Sequence, residues 1–533
     1  MMSSAPSPKA TVMHFDTAKA PLRAAAIRPF PSLTISRSGL SANGTFAESQ
    51  MAFLSPDGGD VATLDGSLAA ANMGVVAHFY MDPELQGVLA ATKWPHVTTS
   101  DSLAMGDAAI KMVKEGGVTS IACLGVDFMA ESVRAMMDAA GLQRVPVYRL
   151  SKRSIGCSLA ESAELPAYAA WLGKAQATPK SLHVVYINTS LVTKAHSQAL
   201  VPTLTCTSSN VVKTVLQAFA QVPGLTVWYG PDTYMGENLR TLFESVAQLD
   251  DAAIAKLHPA HSRRTVEALL GKFEVFPQGN CVVHHMFGDS VAAQVAADYG
   301  HAYHTAHLEV PGGMFAVANE AASKGRGVVG STSDILNFIV KTTCEALAGG
   351  GGGDGGGDRT LSFVLGTEAG MVTPIVRQVQ AVLAAAPSDG PQVNVEVVFP
   401  VAADAVAPQA GEDPSGGLAV VPGAGGGEGC SAAGGCATCP FMKMNSLDAL
   451  VNLADAVAQA RPAADAPAAA GQDDSAADVE GPLSLRPFLP LRRGAMVAGR
   501  PAAELGGLPI LHMRGLAATG QLPQALVDDI LAR

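Results

Sequence analysis

The chain has 533 residues, enough for several domains that each build a core. A net charge of −12 and an aromatic content of 5% exclude nucleic acid as the main partner, which would need clustered Lys and Arg and stacking surfaces. Eight cysteines are too sparse for a disulfide scaffold, and no apolar run is long enough to suggest a membrane span.

The first residues, MMSSAPSPKATVMHFDTAKAPLRAAAIRPFPSLTISRSG, are rich in Ser, Ala and Pro and carry five basic residues against one acid, Asp16. That composition resembles an organelle transit peptide. Residues 1–60 are therefore expected to be a transit or disordered segment, with the plastid as destination and the cytoplasm as the alternative.

From about residue 70, β-rich runs alternate with helical patterns. GVTSIACLGV reads as a buried strand before the helix DFMAESVRAMMDAAGL, and SLHVVYIN as a strand ahead of SSNVVKTVLQAFAQVPG. LTVWYGPD, GRGVVGSTS, LSFVLGTEAG and VNVEVVFPV supply further strands. Such alternation predicts an α/β fold with parallel sheets covered by helices, and ligands at the carboxyl ends of the strands. Expected units are 61–175, 176–299 and 300–458, the last with a Gly-rich insertion at 349–358. The stretch 406–417 reads as a linker. An acidic, disordered linker is expected at 459–482, followed by a C-terminal extension over 483–533 that regains a helical pattern.

The strand ends repeat one form. His78 and Tyr80, Tyr186 and Asn188, and His307 and Glu309 are polar pairs two residues apart, a spacing that puts both members on one side of a strand. Some 22 to 24 residues after the first member of each pair comes a hydroxyl cluster opening a helix: Ser102, then Ser208, then Ser331 with Thr332. Helix N-termini carrying hydroxyls bind anions readily. Each unit then carries a cysteine in a turn-like setting: Cys157, Cys281 and Cys439. Polar strand ends and Ser caps are common singly; the same order three times points to an internal repeat.

Three thiolates meeting from three units would suit zinc, Cu(I) or an iron–sulfur cluster. A closed zinc site is weakly supported, since only one C-x-x-C exists (Cys436 and Cys439). A cluster held by three cysteines would keep one iron open as a Lewis acid. Cys430, Cys436 and Cys439 together also allow another reading, a thiol-redox regulatory protein switching by disulfide exchange. Cys123 and Cys344 lie in apolar patterns and read as small core residues, as does Cys206. His284 and His285 follow Cys281 and are either orienting partners or structural. Glu131 and Glu368 read as helix-start carboxylates.

Together, VAHFYMDPELQGVL, SDSLAMGDAAIKM, IGCSLAES, YINTSLVTKA, LTCTSSNVV, GPDTYMGENL, CVVHHMFG, AHLEVPGGMF, VVGSTSDIL and GGCATCPFMKMNSL resemble the quinolinate synthase family. The PILHMR tail and the long spacing before the last cysteines resemble its plant and algal branch. The resemblance implies three similar parallel-sheet αβα domains around a pseudo-threefold axis, with a central [4Fe–4S] cluster on Cys157, Cys281 and Cys439. It implies condensation of iminoaspartate with dihydroxyacetone phosphate in NAD biosynthesis, releasing phosphate and two waters. Within that scheme Glu309 is the main acid/base, with Tyr80 and His307 assisting proton transfer. Tyr186, also counted as catalytic, and Asn188 orient intermediates. Ser102, Ser208, Ser331 and Thr332 hold carboxylates or phosphate, and His78 matches the family's N-terminal active-site histidine. L-aspartate oxidase and cluster-assembly proteins are the implied partners, and a homodimer is a further expectation. Plant relatives carry an N-terminal sulfur-transfer domain, and the stretch before the first motif is expected to be too short for such a domain together with a transit peptide.

Overall fold

The computed structural model describes residues 30–151, 154–349, 359–387, 390–400, 438–464 and 496–533, with no side chains described at 461–464. In chain order the strands are β1 (Ser32–Ser36), β2 (Gly39–Asn43), β3 (Met73–His78), β4 (Val97–Ser100), β5 (Ser120–Leu124), β6 (Val147–Tyr148) and β7 (Ser181–Tyr186). There follow β8 (Thr203–Cys206), β9 (Thr226–Gly230), β10 (Phe273–Val275), β11 (Tyr303–His307), β12 (Gly327–Gly330), β13 (Arg359–Gly366) and β14 (Val393–Val398).

They form three main sheets, ordered β4-β3-β5-β6, β8-β7-β9-β10 and β12-β11-β13-β14, each parallel throughout. Within each, the second strand lies on one side of the first and the third on the other. The chain therefore reverses its direction of travel beside the first strand, the crevice where α/β sheets bind ligands. Helices cover both faces, so the strands are apolar on both: every residue of β3 and of β7 is buried.

The third sheet is extended by an antiparallel hairpin, β1 and β2, with β1 paired to β14. This corrects the expectation that all of 1–60 is leader or disordered. Leu33 and Ile35 alternate with polar residues, point into the core and are fully buried, and the helices Thr45–Phe53 and Gly58–Ala71 follow. Residues 1–29 lie outside the described residues, as do 350–358 of the Gly-rich insertion and the linker stretch 406–417. The helix Leu447–Ala464 runs past the expected start of the acidic linker at 459, and 465–482 lies outside the described residues. At the C-terminal end, the helix Ala502–Thr519 packs on the helix Leu191–Leu200 and on β8. His512 Nδ1 donates to the Thr203 carbonyl (2.9 Å), and Arg514 pairs with Asp107 of the first unit (2.7 Å).

Candidate active site

The carboxyl ends of β3, β7 and β11 are His78, Tyr186 and His307. The second member of each polar pair lies just beyond the strand, so the same-face argument for a strand does not apply. A side-chain bond ties two of the pairs instead: the Tyr80 amide donates to His78 Nδ1 (3.1 Å) and the Glu309 amide to His307 Nδ1 (3.4 Å). With Nδ1 accepting, a neutral ring carries its proton on Nε2. Both rings are buried, and burial pulls their pKa values down, to about 4 for His78 and about 3 for His307.

His78, Tyr80, Tyr186, Asn188 and His307 line one small cavity, about 40 Å³. The hydroxyl turns after β4, β8 and β12 close the same cavity with Ser102, Ser208, Ser331 and Thr332, and Asp101, Met129, Thr207 and Ser209 complete most of the rest. The helices Ser102–Lys114 and Thr332–Leu347 start at the cavity wall, and Val211–Gln221 starts two residues beyond Ser209. Among the described residues no Lys or Arg lines it, and anionic groups would be met there by hydroxyls and helix N-terminal amides. Ser331 departs from expectation: its hydroxyl donates to Asp334 Oδ2 (2.7 Å) and accepts from the Asp334 amide (3.2 Å), a capping box that serves its own helix. The other three hydroxyls are not committed in this way.

Glu309 sits one layer deeper, 1% exposed. Its Oε2 is 2.8 Å from His284 Nδ1, off the line of a good hydrogen bond, and 3.7 Å from His307 Nδ1. Burial pushes the carboxyl up, but His284, His307 and the nearby Tyr186 hydroxyl outweigh it and hold the carboxyl at about 2. Its Oε1 has no partner among the described residues. The rings of His284 and His307 stack, 5.0 Å apart at 19°. Of the two histidines left open by the sequence, His284 is thus the site residue. His285 is exposed and shares a hydrogen bond between its Nδ1 and the Tyr234 hydroxyl at 2.6 Å. Burial, then the charge of Glu309, raises the phenols Tyr80 and Tyr186 well above the usual range, so both stay protonated.

The cysteines follow the fourth strands. Each is partly accessible and free, and each sulfur accepts backbone N–H groups at the start of a helical turn: Leu159 and Ala160 for Cys157, His284 for Cys281, Phe441 and Met442 for Cys439. Charge on Cys157 raises Cys439, and charge on Cys439 raises Cys281, so the three lie within electrostatic reach of one another. Burial lifts Cys157 to about 12 and the other two well above normal. Unscreened, these thiols resist ionisation; a bound cationic centre would reverse that. The three sulfurs do not form a set within 4.8 Å of one another. Thiolates on one tetrahedral zinc, each about 2.3 Å from it, would lie about 3.8 Å apart.

Glu368, expected as a plain helix-start carboxylate, is also here. It lies with Cys281 and His284 within 4.8 Å, buried, its Oε2 unpartnered, and burial and then Glu309 raise it well above its usual value. A C-x-x-H spacing from Cys281 was the available signal for His284. Nothing local marked Glu368, which long-range packing alone brings in. Glu131 does serve a helix start, but another helix's: it accepts from the Leu191 amide (2.7 Å). Cys123 and Cys206 are buried as expected, whereas Cys344 is exposed, on the outer face of its helix. Cys430 and Cys436 lie outside the described residues.

The fold is of the α/β class, with three main sheets whose strand-end residues and hydroxyl turns close one cavity. The sequence signature of the family described as Quinolinate synthetase A protein matches residues 63–350. "Quinolinate synthase, chloroplastic" from Nicotiana tabacum is 48% identical over 508 residues, 94% of this chain and 66% of that protein. The Oryza sativa protein of that name is 48% identical over 518 residues, 94% of this chain and 69% of its own length. "Quinolinate synthase" from Thermosynechococcus vestitus is 28% identical over 274 residues, 51% of this chain and 66% of that protein. The chain belongs to the quinolinate synthase family. It spans about two thirds of the length of these plant relatives, and family membership argues for an enzyme over a thiol-redox regulator.

Proposed function

We propose that this chain condenses iminoaspartate with dihydroxyacetone phosphate to quinolinate, in NAD biosynthesis, using a [4Fe–4S] cluster on Cys157, Cys281 and Cys439. Three α/β units, 61–175, 176–299 and 300–458, would surround that cluster about a pseudo-threefold axis. The reading is supported above all by one observation: residues from three strand ends and three hydroxyl turns, in the same order along the chain, line one cavity.

When bound, such a cluster supplies an open iron that polarises a substrate oxygen. The chain's own residues do the rest. Ser102, Ser208 and Thr332, with the helix N-termini behind them, hold carboxylates and phosphate without a basic side chain. Glu309 is the proton carrier, ionised at rest, with Oε1 open to receive a proton and His284 steadying the opposite oxygen. Tyr80 and Tyr186, kept protonated, donate to developing oxyanions, while His78 and His307 offer Nε2–H. Asn188 orients the intermediate from the same wall. Glu368, kept neutral by burial and Glu309, is a second proton donor beside Cys281. The plant relatives are chloroplastic by name, and the plastid is taken as the compartment of this chain. L-aspartate oxidase, as supplier of the unstable imine, and cluster-assembly proteins are the proposed partners, and a homodimer the proposed assembly.

The test is anaerobic purification with iron and acid-labile sulfide analysis, then assay with both substrates. About four irons per chain, with quinolinate formed and activity lost in air, is the expected result. A folded, reconstituted chain that binds no iron would overturn the reading.

A further inference from the structure

Lys194 is a fully buried amine that the scheme above does not use; burial pulls its pKa down from 10.5 to about 7, against the charge of Glu131. It lies in the helix Leu191–Leu200, and its ammonium has a partner for each proton: the Ile187 carbonyl (3.0 Å), the Thr189 carbonyl (2.5 Å) and Thr189 Oγ1 (2.9 Å). These oxygens flank Asn188 on both sides. The Thr189 hydroxyl passes the constraint on by donating to the Tyr186 carbonyl (3.0 Å). Immediately downstream, Glu131 of the first unit accepts the Leu191 amide (2.7 Å). From outside, a Cβ on Gly506 of the C-terminal helix would stand 2.1 Å from the Leu191 carbonyl oxygen, so that helix lies directly against the same turn.

We propose that Lys194 is a positioning residue of the substrate site: by gathering the oxygens of Ile187 and Thr189 it fixes the turn that presents Tyr186 and Asn188 to the cavity. Desolvating an ammonium is costly, and a methionine would fill much of the same space. The turn could be packed without a cation, but three hydrogen bonds of fixed direction specify one backbone path through residues 187–189, which apolar packing does not. Displacements of about 1 Å at a site of this kind lower turnover by about a hundredfold.

The proposal rests on the functional reading above, so the wild-type holoenzyme is measured first, for quinolinate formation and for binding of dihydroxyacetone phosphate by calorimetry. Lys194→Met, Lys194→Arg, Thr189→Val and Asn188→Ala follow, each with iron content and melting temperature, and Lys194→Met is combined with Asn188→Ala. Lys194→Met is expected to keep its iron, to lose about a hundredfold in kcat/KM and to weaken binding. Combined with Asn188→Ala, it should cost no more than the larger single effect, because both act through one group. Lys194→Arg should recover part of the loss. A folded, iron-loaded Lys194→Met with wild-type binding and kcat/KM, or effects that add fully to those of Asn188→Ala, would overturn it. Should Lys194→Met not fold, Thr189→Val decides: binding weakened about tenfold at near-normal melting temperature supports the role, and unchanged binding overturns it. A wild type that neither binds the ester nor makes quinolinate sinks the functional reading and this proposal with it. Unchanged variants of an active wild type sink this proposal alone.

Discussion

Glu309 and His284 meet at 2.8 Å although β10 and β11 of different sheets lead into and out of the segment that joins them. His284 opens the turn after Cys281, and Glu309 closes the turn after β11. The contact therefore couples the acid/base candidate directly to the turn that carries one of the three cysteines.

Glu309→Gln removes the proton acceptor while keeping shape and most contacts. It is expected to lower kcat by about 10² to 10⁴ with iron content unchanged. Stopped turnover with normal iron supports an acid/base role. Loss of iron along with activity would show that Glu309 maintains the cysteine site instead.

Cys157→Ala, Cys281→Ala and Cys439→Ala should each lose most bound iron, measured against protein, because each removes one of the three proposed donors. Cys430→Ala and Cys436→Ala should retain it. Full iron in Cys157→Ala would remove the three-unit ligation scheme.

The hydroxyls divide by their bonding. Ser102→Ala, Ser208→Ala and Thr332→Val are each expected to raise KM by about fivefold, the equivalent of one hydrogen bond of about 1 kcal/mol, with little change in melting temperature. Ser331→Ala should do the reverse. Its hydroxyl caps the helix Thr332–Leu347, so about 1 kcal/mol of stability is lost and KM stays close to normal. Steady-state kinetics and thermal melts on the four proteins check the division.

Buried neutral histidines set the response to acid. His183 is fully buried, donating from Nδ1 to the Trp228 carbonyl (2.8 Å) and accepting the Tyr168 hydroxyl at Nε2 (3.0 Å). Burial lowers it from 6.5 to about 4. Between those values the unfolded chain binds the proton and the folded one does not, so stability rises with pH across that window. It is complete above about 6.5 and lost progressively as pH falls towards 4, by up to about 1.4 kcal/mol per pH unit for the group. His78 adds a contribution of the same sign. Melting temperature should therefore fall as pH drops from 7 to 5, and the fall should be shallower in His183→Gln. Equal slopes in the two proteins would contradict it.

The repeated elements were legible because local rules suffice for them. All-apolar strands declare a covered parallel sheet, and Ser or Asp ahead of an apolar periodic stretch declares a helix start. The hairpin at 32–43 was hidden because a composition rich in Ser and basic residues resembles a leader. Only pairing with β14, far along the chain, makes its Leu33 and Ile35 core residues. Glu368 and Lys194 were hidden for the same reason: a lone acid or a helix lysine looks solvated until other units bury it.

By itself the sequence determined the α/β class, the order of parts repeated three times, and the cysteines, hydroxyls and strand-end residues that make up the site. These are matters of local periodicity and residue chemistry. The three-dimensional structure decided that Glu309 faces His284, that Ser331 at the cavity wall spends its hydroxyl on capping its helix while Thr332 does not, and that a buried lysine bonds to the turn around Asn188. Each of those depends on desolvation and on angstrom-scale contact geometry, whether between units, as for Glu309 and His284, or within one turn, as for Ser331 and Lys194, and residue spacing alone does not fix it.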